Sequence, residues 1–147
     1  MPLSPREKEA VKDQAGYRCE YCHIVGWELQ VDHIVPRSPR RSGLAPVRDE
    51  DSDAENNLAA ACAHCNRLKG NFTSGRDPLT GSEVRLFDPR QDVWDDHFAW
   101  SDDYLRLLPL SAVGGATISR LRMNNPLLRR QRQLLRDAVA ARAAPWP

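Results

Sequence analysis

Cys19-Glu20-Tyr21-Cys22 and Cys62-Ala63-His64-Cys65 share one spacing and together contain all 4 cysteines of this 147-residue chain. Two Cys-x-x-Cys pairs are typical of a structural zinc site, in which four thiolates surround the metal ion as a tetrahedron. One pair alone could be a redox-active dithiol, so a redox protein is the alternative that a metal assay tests. Residues 23–61 form a longer gap than a zinc ribbon carries, so we expect another structural unit between the pairs.

Residues suited to acid–base and metal chemistry lie within this gap and just after it. Glu28-Leu29-Gln30-Val31 alternates like a strand and leads into Asp32-His33-Ile34-Val35-Pro36. Because neighbouring strand residues point to opposite faces, Asp32 and His33 can act together only where the strand bends or ends. Pro36 makes such an end plausible. Asn57-Leu58 follows, and Asn66 comes directly after the second cysteine pair.

These elements, in this order and with Lys69-Gly70 after them, resemble the HNH endonuclease family over about residues 16–72. The resemblance implies an α+β fold with a small ββα-metal (His-Me finger) nuclease core, which is clipped by the four-cysteine zinc knuckle. We therefore expect Cys19, Cys22, Cys62 and Cys65 to hold one structural Zn²⁺ per chain. A tetrahedral zinc with four thiolates has no open position for substrate, so this zinc should not be catalytic.

The same resemblance implies a role for each polar residue of the motif. His33 is expected to be the general base, because a neutral imidazole accepts a proton from water at physiological pH. Asp32 and Asn66 would offer oxygen atoms to a catalytic divalent ion. Asn66 stands where the family name has histidine, and its amide oxygen favours Mg²⁺ or Mn²⁺. Asn57, or Asn56 beside it, would tie the loop back near the base.

Each of these positions also has a plainer interpretation. An Asp-His pair at a strand end is often a surface turn, and Asn66 alone would be a helix cap. His23 and His64 flank the cysteines and could replace a thiolate, although complete pairs disfavour this. His64 could also be an exposed residue near DNA.

Positive charge is concentrated although the net charge of the chain is only +1. Residues 106–147 contain eight arginines and one acid, and such a segment can face phosphate or be a solvated helix face. Near the active-site strand, the candidate nucleic-acid-binding residues are Arg37, Arg40, Arg41 and Lys69. Each could contact a phosphate or be solvated.

The length suits a single HNH nuclease domain over 1–147, with the core at 16–72 and a C-terminal extension at 84–143. Ser4-Pro5-Arg6-Glu7 predicts a helix start, and residues 37–54 predict an exposed loop. The extension should begin with strands at 84–87, 97–100 and 104–108, followed by helices at 116–123 and from Pro126 onward. The last helix would carry one apolar face, formed by Leu127, Leu128, Leu134, Leu135, Ala138 and Val139.

Part of this extension is similar to a C-terminal extension that is found on some bacterial HNH proteins. The shared residues are Phe87-Asp88-Pro89-Arg90, Trp94 and His97-Phe98-Ala99-Trp100, which we interpret as a hairpin packed on the core. The sequence lacks a signal peptide and a membrane span, so we expect a cytoplasmic protein with DNA as its partner. The competing function is a non-catalytic zinc module that binds nucleic acid or protein.

Overall fold

A computed structural model of the chain describes residues 2–26, 28–36 and 55–143, which form a mixed α/β arrangement. The expected loop at 37–54 lies outside the described residues. The described helices are α1 (Pro5–Gln14), α2 (Ala63–Lys69), α3 (Trp94–His97), α4 (Ala112–Arg120) and α5 (Pro126–Ala143). The described strands are β1 (Gln30–His33), β2 (Leu58–Ala61), β3 (Ser74–Arg76), β4 (Glu83–Arg85), β5 (Phe98–Trp100) and β6 (Leu107–Pro109).

The first helix confirms its predicted start. Ser4 caps α1 by accepting a hydrogen bond from the Glu7 backbone N–H, while the Glu7 carboxylate accepts one from the Ser4 N–H. This reciprocal pair is the capping box that the sequence predicted. The chain leaves the helix through Gly16, whose φ of +64° suits glycine.

Strands β1 and β2 form an antiparallel pair, and helix α2 follows β2 almost at once. In this pair Asp32 lies opposite Ala59, and His33 lies opposite Leu58. Helix α2 begins at Ala63, so Asn66, which alone would have been interpreted as a helix cap, lies inside the helix. The reason is its cap: the Cys62 sulfur accepts a hydrogen bond from the Cys65 N–H, a role that capping rules give to Ser, Thr, Asp or Asn.

Helix α4 begins at Ala112, whereas the sequence predicted a start at 116. Gly114 and Gly115 lie in the added first turn, although glycine is a poor helix former. A Cβ atom on Gly114 would lie 2.1 Å from the His97 carbonyl oxygen, and one on Gly115 would lie 2.5 Å from the Asp77 carboxylate. The glycines are therefore needed for this close packing, which outweighs their low propensity.

The C-terminal hairpin forms, but its strands are displaced from the predicted ranges. His97 belongs to the helical turn α3, so the first strand starts at Phe98. The return strand starts at Leu107 rather than Tyr104, because Tyr104 has a φ of +61° and cannot continue a ladder. A third strand pair, β3 with β4, joins Ser74 to Arg85, and β3 was not predicted.

Helix α5 exposes most of the apolar face that the sequence predicted. Of the six residues proposed for that face, Leu128 is buried, while Leu127, Leu134, Leu135 and Val139 are exposed. These residues do lie on a helix, as their spacing predicted, but no element in the described part of the chain covers this face. The described helices include none that is both long and apolar enough to cross a membrane.

The extension is fastened to the first cysteine pair by a salt bridge. The Arg90 guanidinium donates to both Glu20 carboxylate oxygens at 2.7 Å, and its Nε donates to the Leu58 carbonyl oxygen. The Glu20 carboxylate also accepts the Ala60 N–H at 2.7 Å. Nearby, the Trp94 indole N–H donates to the Tyr21 carbonyl oxygen. Arg90 thus joins the extension, the cysteine motif and strand β2.

We predict that Arg90→Met lowers the free energy of unfolding by about 2–3 kcal/mol, because it leaves a partly buried Glu20 carboxylate without its partner. The matched control is Arg136→Met, which breaks the ion pair with Asp137, whose two side chains are 42% and 59% exposed. That pair should contribute about 1 kcal/mol or less. Denaturant unfolding measures both values, and equal losses would contradict the role given to Arg90.

Candidate active site

The four cysteines converge on one point. Their sulfur atoms all lie within 4.8 Å of one another, and the sulfurs of Cys22 and Cys62 are 3.8 Å apart. With zinc–sulfur bonds of about 2.3 Å, the edge of a regular tetrahedron is about 3.8 Å. Hydrogen bonds among the cysteines lower the pKa of the Cys62 thiol and raise the pKa values of the Cys22 and Cys65 thiols. The donor set and its spacing therefore fit a four-thiolate zinc ion.

The two histidines beside the cysteines are engaged elsewhere. The His23 ring stacks on Trp94 with centroids 3.9 Å apart, and burial lowers the pKa of His23 to about 4. The His64 Nε2 lies 2.8 Å from the Leu121 carbonyl oxygen, and Asn125 also contacts this ring. His64 thus connects helix α2 to the end of α4, so its interpretation as an exposed residue near DNA is corrected.

A buried arginine accompanies the cysteine cluster, and the sequence analysis did not single it out. The Arg132 guanidinium donates to the Leu105 carbonyl oxygen, but its Nε and its second terminal nitrogen have no partner among the described residues. Burial lowers the pKa of Arg132, while the charge of the four cysteines raises it. A zinc ion held by these four cysteines would carry two negative charges with its thiolates, and the Arg132 cation would partly balance them. The feature that could have identified Arg132 in the sequence is its position one helical turn after Leu128, which is buried.

Asp32 is buried on the face of β1 opposite to that of His33. Its side chain is among the least exposed polar groups, with 3% of the residue accessible. The Tyr21 hydroxyl donates to one carboxylate oxygen at 2.6 Å, and the Lys69 ammonium lies 3.1 Å from that oxygen. Burial raises the pKa of Asp32, while Lys69 and Tyr21 act in the opposite direction. Tyr21 was not predicted, although its place between two cysteines put it near the core.

Lys69 is not available to a phosphate, so that prediction is corrected. The residue is only 1% exposed. Its ammonium donates to the carbonyl oxygens of His33 and Ile34, both at 3.0 Å, and to Asp32. These three acceptors match the three donors of an ammonium group. Lys69 therefore holds the end of strand β1, where His33 is placed. The other phosphate candidates, Arg37, Arg40 and Arg41, lie outside the described residues.

Asn57, rather than Asn56, ties back the chain that follows His33. The Asn57 side chain accepts the Val35 N–H at 2.8 Å and donates to the Val35 carbonyl oxygen at 2.9 Å. The Ile34 N–H also donates to the Asn57 carbonyl oxygen. Asn57 is buried, and its bonds fix the chain immediately after the histidine.

His33 and Asn66 are both half-buried; His33 ends strand β1, whereas Asn66 contacts Gln30 at the start of that strand. Asn66 is inside α2 rather than at its cap, and its amide N–H donates to the Gln30 side-chain oxygen at 2.6 Å. In the described part of the chain, no hydrogen bond joins Asn66 to Asp32. The helix contacts the strand through two pairs instead, Asn66 with Gln30 and Lys69 with Asp32.

Residues 19–72 match the family model described as HNH endonuclease. The matching segment, which we call the HNH domain, is therefore similar to this family. This match covers the cysteine pairs, the strand pair and helix α2, and it ends just before Thr73. The comparisons with curated proteins and with solved structures found no match. The HNH domain makes a nuclease the best-supported class, and a nuclease implies a nucleic-acid substrate.

Asn66 and Asp32 offer oxygen atoms, which suit a cation that prefers oxygen ligands. The amide oxygen of Asn66 accepts no hydrogen bond from the described residues, so it is available as a ligand. A carboxylate has about four lone-pair positions, and the contacts of Asp32 with Tyr21 and Lys69 use three of them. A cation at Asp32 must therefore share this carboxylate with Lys69 or displace the ammonium.

We predict that the purified protein contains about one zinc ion per chain and that Cys62→Ser abolishes both zinc binding and folding. Cys62 is a ligand candidate and also the cap of α2, and because serine can still cap the helix, Cys62→Ser tests the loss of the zinc ligand alone. Elemental analysis and circular dichroism measure the two effects. His64→Gln is the control and should keep its zinc. Zinc-free protein with disulfides would contradict this assignment.

We further predict that Lys69→Met lowers the free energy of unfolding by about 3–5 kcal/mol, because it leaves the Asp32 carboxylate buried without a counter-charge. Arg67→Met is the matched control, since Arg67 is an exposed cation of the same helix. It should change stability by about 0.5 kcal/mol or less. Similar values for the two variants in chemical denaturation would show that the buried ion pair does not form.

Proposed function

We propose that the chain is a metal-dependent endonuclease that hydrolyses phosphodiester bonds in DNA. In this proposal β1, β2 and α2 serve as a ββα-metal nuclease core, and zinc at the four cysteines holds that core together. The observation that carries the proposal is the fixed position of His33 within an HNH domain. Lys69 binds the carbonyl oxygen of His33, and Asn57 binds the backbone two residues later.

His33 is the general base of this proposal. Its imidazole would take a proton from water as the water attacks phosphorus, which requires a neutral ring held in one position. The backbone bonds on both sides of the residue limit its movement, so little ordering is required when substrate binds. His33 is the candidate because it is the histidine of the Asp32-His33 motif within residues 19–72, which match the HNH endonuclease model.

Asp32 and Asn66 are the proposed holders of the catalytic ion, with Mg²⁺ or Mn²⁺ as the candidates. Both residues offer oxygen, which hard divalent cations prefer. When bound, such an ion would stabilise the charge on the scissile phosphate and on the leaving oxygen. The buried Lys69 and Tyr21 would keep the Asp32 carboxylate oriented.

A non-catalytic zinc module is the second candidate function. The exposed apolar residues of α5 are the observation that favours it, because such a face can bind another protein. That function would need neither His33 nor a second metal ion, so the activity assay distinguishes the two candidates.

The test is cleavage of supercoiled plasmid DNA in Mg²⁺, in Mn²⁺ and in EDTA. We expect nicking with either ion and none in EDTA. His33→Ala should lose about 10²–10⁴-fold in rate, which is the usual contribution of one positioned base. Its zinc content and its DNA affinity should be unchanged, because the cysteines and Asn66 remain.

His64→Gln is the matched control, because glutamine can still donate to the Leu121 carbonyl oxygen. It should cleave at nearly the wild-type rate. Cleavage by His33→Ala at the wild-type rate would rule out the proposed base. A folded, zinc-loaded wild-type protein that binds DNA but cuts none would favour the non-catalytic module.

A further inference from the structure

A cavity of about 450 Å³ adjoins the end of the strand that carries His33. Its near wall is formed by Ile34, Val35 and Lys69, the residues just after His33 and the lysine that holds them. Its far wall comes from Thr73 and from the chain around β4. The volume lies within the range of about 300–1,000 Å³ that is usual for small-molecule sites.

A buried hydroxyl without a partner lines this cavity. Thr73 is 5% exposed, and its side-chain oxygen has no hydrogen-bond partner among the described residues. The Thr73 backbone carbonyl, by contrast, accepts the Leu86 N–H at 2.9 Å. Buried hydroxyls nearly always have a partner, and exceptions call for an explanation. A polar group of a ligand in the cavity would supply the missing hydrogen bond.

The charges around the cavity are already paired with one another. Arg85 binds Asp92 through two hydrogen bonds, and Lys69 binds Asp32. The remaining acid of the lining, Asp88, accepts the Arg90 backbone N–H. The lining therefore offers no unpaired cation for a phosphate, and a neutral ligand suits it better.

The other surfaces of the cavity suit a flat, partly polar group. Leu86, Phe87 and Ile34 are buried apolar residues of its lining. Gln91, at the exposed side, has a side-chain amide with no partner in the described part of the chain. An apolar floor, a buried hydroxyl and an amide together match the faces and the hydrogen-bonding edge of a heterocyclic base.

We propose that this cavity receives one unstacked nucleobase next to the scissile phosphate, so that the enzyme favours sites where a base is unpaired. The proposal rests on the nuclease function proposed above. A base inside a duplex is stacked and paired, and it must leave the stack to enter a pocket. A bulged, mismatched or single-stranded base leaves at lower cost, so the pocket selects the form of the DNA rather than a sequence.

The test uses duplexes that differ at one position, which is fully paired, carries a single bulged base, or carries a bulged abasic nucleotide. We expect cleavage within one or two nucleotides of the bulged base, about tenfold faster than in the paired duplex, and loss of most of this gain with the abasic bulge. The abasic duplex has the same backbone distortion, so the difference reports contact with the base. Equal cleavage beside base and abasic bulges would overturn the proposal.

Thr73→Val is the diagnostic variant, because valine keeps the shape of threonine and removes only the hydroxyl. It should fold normally, since the hydroxyl has no hydrogen-bond partner among the described residues. Its ratio of base-bulge to abasic-bulge cleavage should fall about fivefold or more, whereas Thr73→Ser should keep the wild-type ratio. The zinc content and the free energy of unfolding should be close to the wild-type values in both variants. An unchanged ratio in Thr73→Val would exclude the hydroxyl from base binding.

Binding makes the test independent of cleavage. The His33→Ala variant is titrated with duplexes that carry a bulged 2-aminopurine or a bulged abasic nucleotide, and anisotropy of an end label gives both affinities. We expect about tenfold tighter binding of the base-containing bulge, with a change in 2-aminopurine fluorescence. Equal affinities would overturn the pocket proposal even if the protein proved to be no nuclease. A lack of cleavage by the wild type, together with this binding preference, would overturn only the nuclease function.

Discussion

The convergence of four sulfur atoms is the constraint on which the rest of the structure depends. The two cysteine pairs are separated by residues 23–61, yet their sulfurs lie within 4.8 Å of one another. The second pair begins helix α2, because Cys62 caps it, and the first pair contains Tyr21, which contacts Asp32. A metal ion held by these cysteines would therefore fix the helix and the strand that supply the candidate active site. In a core this small, such an ion commonly provides much of the folding free energy.

Within this frame, the buried ion pair between Lys69 and Asp32 determines how β1 and α2 meet. Burying two charges is costly, so pairs of this kind are rarely retained for stability alone. Here the ammonium also binds the carbonyl oxygens of His33 and Ile34, at the end of strand β1. The same ammonium thus joins the buried Asp32 carboxylate to the backbone at the strand end. In the proposed function, this contact gives the proposed general base His33 a fixed position.

Sequence reasoning succeeded where local rules apply and failed where tertiary contacts override them. The spacing of the cysteines predicted their cluster, and the capping box predicted α1, because both depend on nearby residues. The burial of Lys69 could not be read from its motif, since a lysine is normally exposed and only the fold supplies its three acceptors. The first turn of α4, which contains Gly114 and Gly115, was not predicted for a similar reason. Their value lies in contacts with His97 and Asp77, which are distant in sequence.

The cavity beside His33 shows why the extension belongs to the candidate site and is more than a support for the core. The family match ends at residue 72, and Thr73, Arg85, Leu86 and Gln91 all follow it. The HNH domain thus supplies one wall of the cavity, and the residues after it supply the other. The Arg90 bond to Glu20 fastens the extension to the first cysteine motif. If the proposed nuclease function and base pocket hold, the reacting groups and the far wall come from different segments, so changes in the far wall would alter which form of DNA is accepted without altering the chemistry.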